Sequence, residues 1–272
     1  MENAARRQVG QATSGRAELN RRQVLLFLSL ALTRSPASGS RLLAAAERDE
    51  LRFDFSGPRM SKRGGRVTWP DPWDVWSALR GQASLQIEDG PAEIGRVAHF
   101  RTVDGSIVLY RDLRSRPADI RSRPWLSWRW TAEKLPAGGS VFRADRNDQV
   151  LQVYLAFRRS DGYDILGYVW DTVTDERAEN VSRQSFRVLI FGRIEAAVHV
   201  VRKGPTDAWL TEVRNVAEDH RKYFSPLRPT LAAVGIWSDS NHTGSASDGK
   251  IGPLVFSASK PQDRLTTATA PS

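Results

Sequence analysis

Ala233–Phe256 reads AVGIWSDSNHTGSASDGKIGPLVF, and this stretch decides the fold. Ala233, Val234, Ile236 and Trp237 form a short apolar run, and Ile251, Leu254, Val255 and Phe256 form another. A short apolar run bounded by turn residues predicts a buried strand. Between the two runs, 238–250 predicts a polar loop carrying Asp239, Asn241, His242, Thr243 and Asp248. Carboxylates and neutral oxygens gathered in one loop between core strands suit a hard cation or a hydroxylated ligand.

Working outward, similar runs recur at short intervals. Strands are expected at 84–87, 96–100, 106–110, 125–130, 150–157, 165–170, 186–191, 196–201, 209–213, 231–237 and 254–257. Asp104-Gly105, Pro136 with Gly138-Gly139, Asp161-Gly162, Gly204-Pro205 and Asp248-Gly249 are expected to mark turns between them. Leu51, Phe53 and Phe55 alternate with polar neighbours, as a half-buried strand does. The stretch 57–74, with Pro58, Pro70, Pro72 and interleaved Trp69 and Trp73, is expected to be a loop. One segment looks helical, 217–224, with Asn215 placed to cap it. Many short strands and one short helix predict an all-β fold, an antiparallel two-sheet β-sandwich of jelly-roll type. The expected layout is an export signal or disordered segment over 1–46, one sandwich domain over 47–259, and a disordered tail over 260–272.

Composition narrows the function classes. The 272 residues include nine Trp and ten Phe, enough for a packed core. Lys and Arg number 40 against 31 Asp and Glu, a net charge of +9, yet no dense basic run or basic helix face marks a nucleic-acid partner. Cysteine is absent, which removes disulfides, thiolate metal sites and Cys nucleophiles. Arg21-Arg22 precedes the apolar run Val24–Leu32 and then small residues. That run is too short for a transmembrane helix, which needs ~20 apolar residues, and no transmembrane helix is expected. The layout resembles a twin-arginine export signal and points to a periplasmic or secreted protein.

Familiar catalytic motifs are missing: there is no G-x-S-x-G elbow, P-loop, G-x-G-x-x-G or H-E-x-x-H. The four histidines, at 99, 199, 220 and 242, have no metal-binding spacing.

PWLSWRW at 124–130, KLPAGG at 134–139, NDQVLQVYLAF at 147–157, GYVW at 167–170, WLTEVRNVAEDHRKYF at 209–224 and the closing SDSNHTG with Asp248 follow one another. In that order they resemble the bacterial domain of unknown function 3047 family, over roughly 81–256. The resemblance implies a jelly-roll sandwich similar to galactose-binding-like domains. The family tends to carry a paired Asp where this chain has Asn147-Asp148, and an Asp-x-Asp-Asn-Thr loop where it has Asp239-Ser240-Asn241-His242-Thr243. An Asn in place of Asp keeps an oxygen ligand and loses a charge, which weakens a calcium site.

Asp148, just before one strand, and Asp239, just after another, would share a cation or a polar network if those strand ends meet; turn-capping or an Arg partner is the commoner use of such residues. The candidate metal set is Asp148, Asp239, Asn241 and Asp248, with Ca2+ as the candidate ion. The candidate ligand set is Arg129, Asp148, Tyr168, Trp170, Arg214, Trp237, Asp239, Asn241, His242 and Thr243: aromatic rings on which a sugar stacks, with polar groups to orient its hydroxyls. Tyr168 and Trp170 share one strand face, and core packing is the ordinary outcome for such rings. The leading expectation is an exported, non-catalytic module that binds a carbohydrate or another polyhydroxylated or anionic ligand. A polysaccharide lyase or hydrolase on the same scaffold is the alternative, with Arg129, Arg214, Tyr168 and His242, or Asp148 and Asp239, doing the chemistry. A structural envelope protein is the third.

Overall fold

The structure, a computed structural model, describes residues 50–261 except 79, 177–180, 189–191 and 225–229, and leaves aside the side chains at 144, 184 and 186–188. The proposed export segment, most of the tail and the end of the strand expected at 186–191 lie outside these residues. The chain begins with β1 (Glu50–Phe53), β2 (Met60–Arg63), β3 (Val67–Pro70), β4 (Asp74–Ser77), β5 (Gln82–Asp89) and β6 (Arg96–Val103). It continues through β7 (Ser106–Asp112), β8 (Ala118–Asp119), β9 (Trp125–Lys134), β10 (Leu151–Arg158), β11 (Gly162–Asp171) and β12 (Val181–Val188). β13 (Gly192–Lys203), β14 (Thr206–Asn215), the helix α1 (Val216–Tyr223), β15 (Thr230–Asp239), β16 (Ala246–Ile251) and β17 (Leu254–Ser257) complete it.

These strands form the two sheets of a β-sandwich of jelly-roll type. Sheet one runs β1-β17-β9-β16-β6-β5-β3-β2, with β14 also paired to β9. Sheet two runs β12-β13-β11-β10-β15-β7-β4, with β8 also paired to β15. Pairing is antiparallel except for a β11–β13 ladder and a single β3–β5 pair. Two glycines let β13 start alongside β11: a Cβ on Gly162 would lie 1.8 Å from the Arg193 carbonyl, and Gly192 turns with φ +74°.

The core explains the aromatic richness. Trp128 and Trp130 on β9 meet Tyr168 and Trp170 on β11 across the gap between the sheets. Ring centroids lie 5.5 Å apart for Trp128–Tyr168 and 5.3 Å for Trp130–Trp170. Large aromatic rings at such offset and edge geometries dominate core energetics. Leu151, Val153, Leu155 and Phe157 of β10 point into this core, while Gln152, Tyr154 and Ala156 point out of it and are buried as well. Burial on both faces is why β10, β11 and β15 read as continuous apolar runs rather than alternating ones.

Two local expectations change. The stretch 57–74 is not all loop: β2 and β3 pair there. The polar loop also ends earlier than expected, and Asp248-Gly249 is no turn, because Ala246–Ile251 is a strand between β9 and β6. Its inward residues are Ser247, Gly249 and Ile251. Ser247 meets Thr102 Oγ1 at 2.6 Å and Ser238 Oγ at 3.0 Å, so a polar side chain is satisfied inside. Helix α1 starts as expected, with Asn215 Oδ1 accepting from the Glu218 amide at 3.2 Å.

Candidate functional site

Antiparallel pairing of β10 with β15 sets Gln152 opposite Trp237, so the chain leading into β10 lies beside the end of β15. Asp148 and Asp239 therefore converge, at 0% and 1% exposure. Asp239 Oδ1 accepts from the Gln149 amide at 2.9 Å and from Gln152 Nε2 at 3.0 Å. Asp148 holds the 240–245 turn. Its Oδ2 accepts from Thr243 N at 2.6 Å and Thr243 Oγ1 at 2.7 Å, and its Oδ1 lies 3.1 Å from His242 N and 3.2 Å from His242 Nδ1. Burial opposes the charged form of Asp148, but the bonds from His242 and Thr243 outweigh it and hold the carboxyl below its usual range. One ligand atom each from Asp148, Asp239 and His242 lies within 4.8 Å of the others. Nearby, Gln149 Oε1 and Asn241 Oδ1 are buried without a hydrogen-bond partner.

The other expected residues are elsewhere. Asp248 stands on β16 and bonds His99 Nε2 at 2.6 Å and Arg101 Nε at 2.9 Å, so it drops out of the metal set. The reason is the unexpected strand: alternation along β16 turns Asp248 away from the side that Ser247 faces. Arg129 points opposite to Trp128 and Trp130 and meets Glu93 at 3.3 Å. Trp237, Trp170 and Tyr168 are interior and offer no stacking platform. Their polar tips are used internally, on Ser106 Oγ (2.7 Å), the Gly204 carbonyl (2.8 Å) and Asp219 Oδ2 (2.8 Å) respectively.

Arg214 belongs to a second constellation. Its guanidinium bonds Asp219 at 2.9 and 3.1 Å and lies 5.3 Å from the Tyr168 ring centre. Arg214 and Asp219 line a cavity of about 280 Å³ where β13, β14 and α1 meet. His199 of β13 is on its wall, 5% exposed, and its Nε2 has no partner. The imidazole is wedged between Tyr223 (4.9 Å) and Tyr168 (5.5 Å), and burial pulls its pKa down to about 4, so it is neutral at pH 7. Glu212 accepts from Trp130 Nε1 at 3.0 Å and from Arg202 Nε; burial pushes its carboxyl up against the pull of Arg202. Sequence reasoning passed over His199 because it stands in the apolar run AAVHVV. The available signal was its period-2 match to Ala197 and Val201, which puts a lone polar ring on the core side.

This chemistry bears on catalysis. Burial and the Asp219 charge push the Tyr168 phenol well above its usual pKa, so it donates to Asp219 and is no base. Asp148 and Asp239 are buried and filled with local donors, unlike a carboxylate pair flanking a glycosidic bond.

Residues 93–255 match the family described as protein of unknown function (DUF3047). The chain belongs to this family. The DUF3047 match takes in both constellations, from Trp130 through Asp148, His199 and Asp219 to Asp239 and His242. No curated protein sequence matches the chain. Among solved structures, a family 11 carbohydrate-binding module from Clostridium thermocellum, in complex with a beta-1,3-1,4-mixed-linked tetrasaccharide, is 9% identical, with TM-score 0.39, covering 78% of this chain and 98% of that one. The endoglucanase cel12A from Rhodothermus marinus is 13% identical, TM-score 0.37, over 70% and 97%. The xyloglucanase domain of NopAA, a type three effector from Sinorhizobium fredii in complex with cellobiose, is 9% identical, TM-score 0.39, over 75% and 100%. Likenesses this distant assign no ligand. Among the described residues no helix is long and apolar enough to cross a membrane.

Proposed function

We propose that this DUF3047 member is an exported β-sandwich module that binds a carbohydrate in the β13–β14–α1 cavity without doing chemistry on it. The observation that carries the reading is His199 Nε2, a buried ring nitrogen left without a partner on the wall of a polar cavity. A buried polar atom without a partner costs free energy, and a hydroxyl, which can donate and accept, removes that cost.

The rest of the wall supports a hydroxylated and largely uncharged ligand. Arg202, Arg214 and Lys222 stand against Glu176, Glu212 and Asp219, so with His199 neutral the lining charges cancel. Arg214 with Asp219 and Arg202 with Glu212 are pre-oriented ion pairs that present fixed donors and acceptors at once. Tyr223 adds a ring wall. At about 280 Å³ the cavity is near the lower end of small-molecule sites, which suits one sugar ring rather than a polymer segment. The twin-arginine-like layout at Arg21-Arg22 supports export to the periplasm or beyond.

The test is titration calorimetry of the protein with a panel of monosaccharides and short oligosaccharides, neutral and uronate. The reading expects saturable binding of at least one neutral sugar, weakened at least tenfold in Lys222→Ala or His199→Phe. Flat heats across the panel, or binding untouched by both variants, would overturn it.

A further inference from the structure

The rim cluster poses a separate question, because it brings two fully buried carboxylates together. We propose that Asp148, Asp239 and His242 form a binding site for a divalent first-row transition ion of the Zn2+ or Mn2+ kind. The proposal does not depend on the carbohydrate reading.

The donor set selects the ion class. Two carboxylates and an imidazole, with one ligand atom from each inside 4.8 Å, suit ions that accept both oxygen and nitrogen. Calcium wants six to eight oxygens, and Asp248, which would have supplied one, is bonded to His99 and Arg101 instead. Ligand bonds of about 2.0–2.2 Å place neighbouring donor atoms roughly 3.3–3.6 Å apart. Asp148 Oδ1 and His242 Nδ1, 3.2 Å apart, already stand at about that spacing, and His242 is the accessible member: its side chain is 31% exposed on the turn, whereas the aspartates are buried.

The surroundings hold the carboxylates as metal ligands are held. Asp148 is fixed through Oδ2 by the Thr243 amide and hydroxyl, leaving Oδ1 directed at His242. Asp239 is fixed through Oδ1 by the Gln149 amide and Gln152 Nε2, and Gln152 Oε1 in turn accepts from the Tyr154 hydroxyl at 2.8 Å. Such outer hydrogen bonds orient ligating oxygens before the ion arrives. His242 is the one ion-pair partner that Asp148 has among the described residues.

An independent sign of a missing ligand comes from Gln149. Its side chain is 0% exposed, its amide nitrogen is used on Asn147 Oδ1 at 3.2 Å, and its Oε1 has no partner. Asn241 Oδ1, next to His242, is also buried and unpartnered. Buried acceptors without donors are rare in folded proteins. Both stand beside the proposed ligands in the chain, Gln149 after Asp148 and Asn241 before His242.

The experiment uses the untagged full chain, stripped with chelator and then given ZnCl2, MnCl2, CaCl2 or MgCl2. Metal content after gel filtration and the melting temperature are read together. One Zn2+ or Mn2+ per chain is expected, with a rise of about 5–10 °C when the free ion is 100-fold above its Kd. His242→Ala, a change on a half-exposed turn, should leave the metal-free melting temperature within about 2 °C and weaken the ion at least tenfold. Asp239→Asn should do the same where it folds; His242→Ala decides where it does not. Absence of any retained ion and any shift would overturn the proposal. So would a response confined to Ca2+ or Mg2+, or one that His242→Ala leaves intact.

Discussion

Replacing His199 by Phe removes one titrating group from the interior while keeping a ring between Tyr168 and Tyr223. The folded-state pKa of His199 is about 4, against an ordinary value near 6.5. Burial is the leading cause; the Asp219 charge opposes it, and Arg214 and Lys222 add to it. A depressed histidine pKa means that the unfolded chain binds the proton more readily. The associated stability is complete above pH 6.5 and is lost as pH falls towards 4. At about 1.4 kcal/mol per unit, the linkage predicts a loss of about 2 kcal/mol by pH 5 and about 3 kcal/mol by pH 4. Glu212 and Asp171, whose carboxyls burial pushes up, titrate in both proteins and cancel in the comparison. Urea unfolding of wild type and His199→Phe at pH 7, 6, 5 and 4 reads the difference. Wild type should lose about 3 kcal/mol relative to His199→Phe between pH 7 and pH 4. Parallel curves would show that the imidazole is hydrated or paired in solution, and would remove the physical basis of the cavity as a site.

Two further substitutions probe the frame around these sites. Asp148→Asn halves the acceptor capacity facing His242 and Thr243 and sets an amide against their donors, so it should cost about 2–4 kcal/mol in urea unfolding of the metal-free chain. An unchanged midpoint would mean that the 240–245 turn is held by other contacts. Gly167→Ala places a Cβ 2.7 Å from Tyr154 Cε1 in a sheet buried on both faces, and overpacking of that kind should cost about 1–3 kcal/mol by the same assay.

The strands of the core were legible because their apolar runs are long relative to their turns. β10, β11 and β15 each place apolar residues on both sides, and no other element makes that pattern between closely spaced glycines. β16 was not legible. In ASDGKI only Ala246 and Ile251 are apolar, since its inward side is closed by serine hydroxyls and by Gly249, where a Cβ would already meet Leu151 at 3.0 Å. The meeting of Asp148 and Asp239 could be anticipated because each flanks a strand. The cavity could not, because it is made by long-range contacts: Tyr168 bonds Asp219, 51 residues away, and Trp130 bonds Glu212, 82 residues away. Alternation places Trp237 and Tyr168 on opposite faces of sheet two, but it does not say whether a face is covered. Both faces are buried, which is why neither ring is available to a ligand.

The buried carboxylates also show why the rim differs from other buried acids in the fold. Asp164 meets a cation, Arg159, at 2.9 Å and His220 at 3.1 Å. Asp171 accepts from three backbone amides, of Val141, Val173 and Thr174, at 2.7–3.0 Å; burial still pushes its carboxyl up, so it sheds part of its charge cost by protonating more easily. Asp148 takes neither course: its donors hold it charged, with a second carboxylate inside 4.8 Å. Hydrogen bonds from Thr243, Gln149 and Gln152 orient the two groups. A divalent cation held between them would make an attractive contact with each. Chelation should therefore act mainly on the 240–245 turn and the start of β10, the segments that Asp148 and Asp239 tie together, while the β13–β14 cavity, built by other side chains, keeps its ligand affinity.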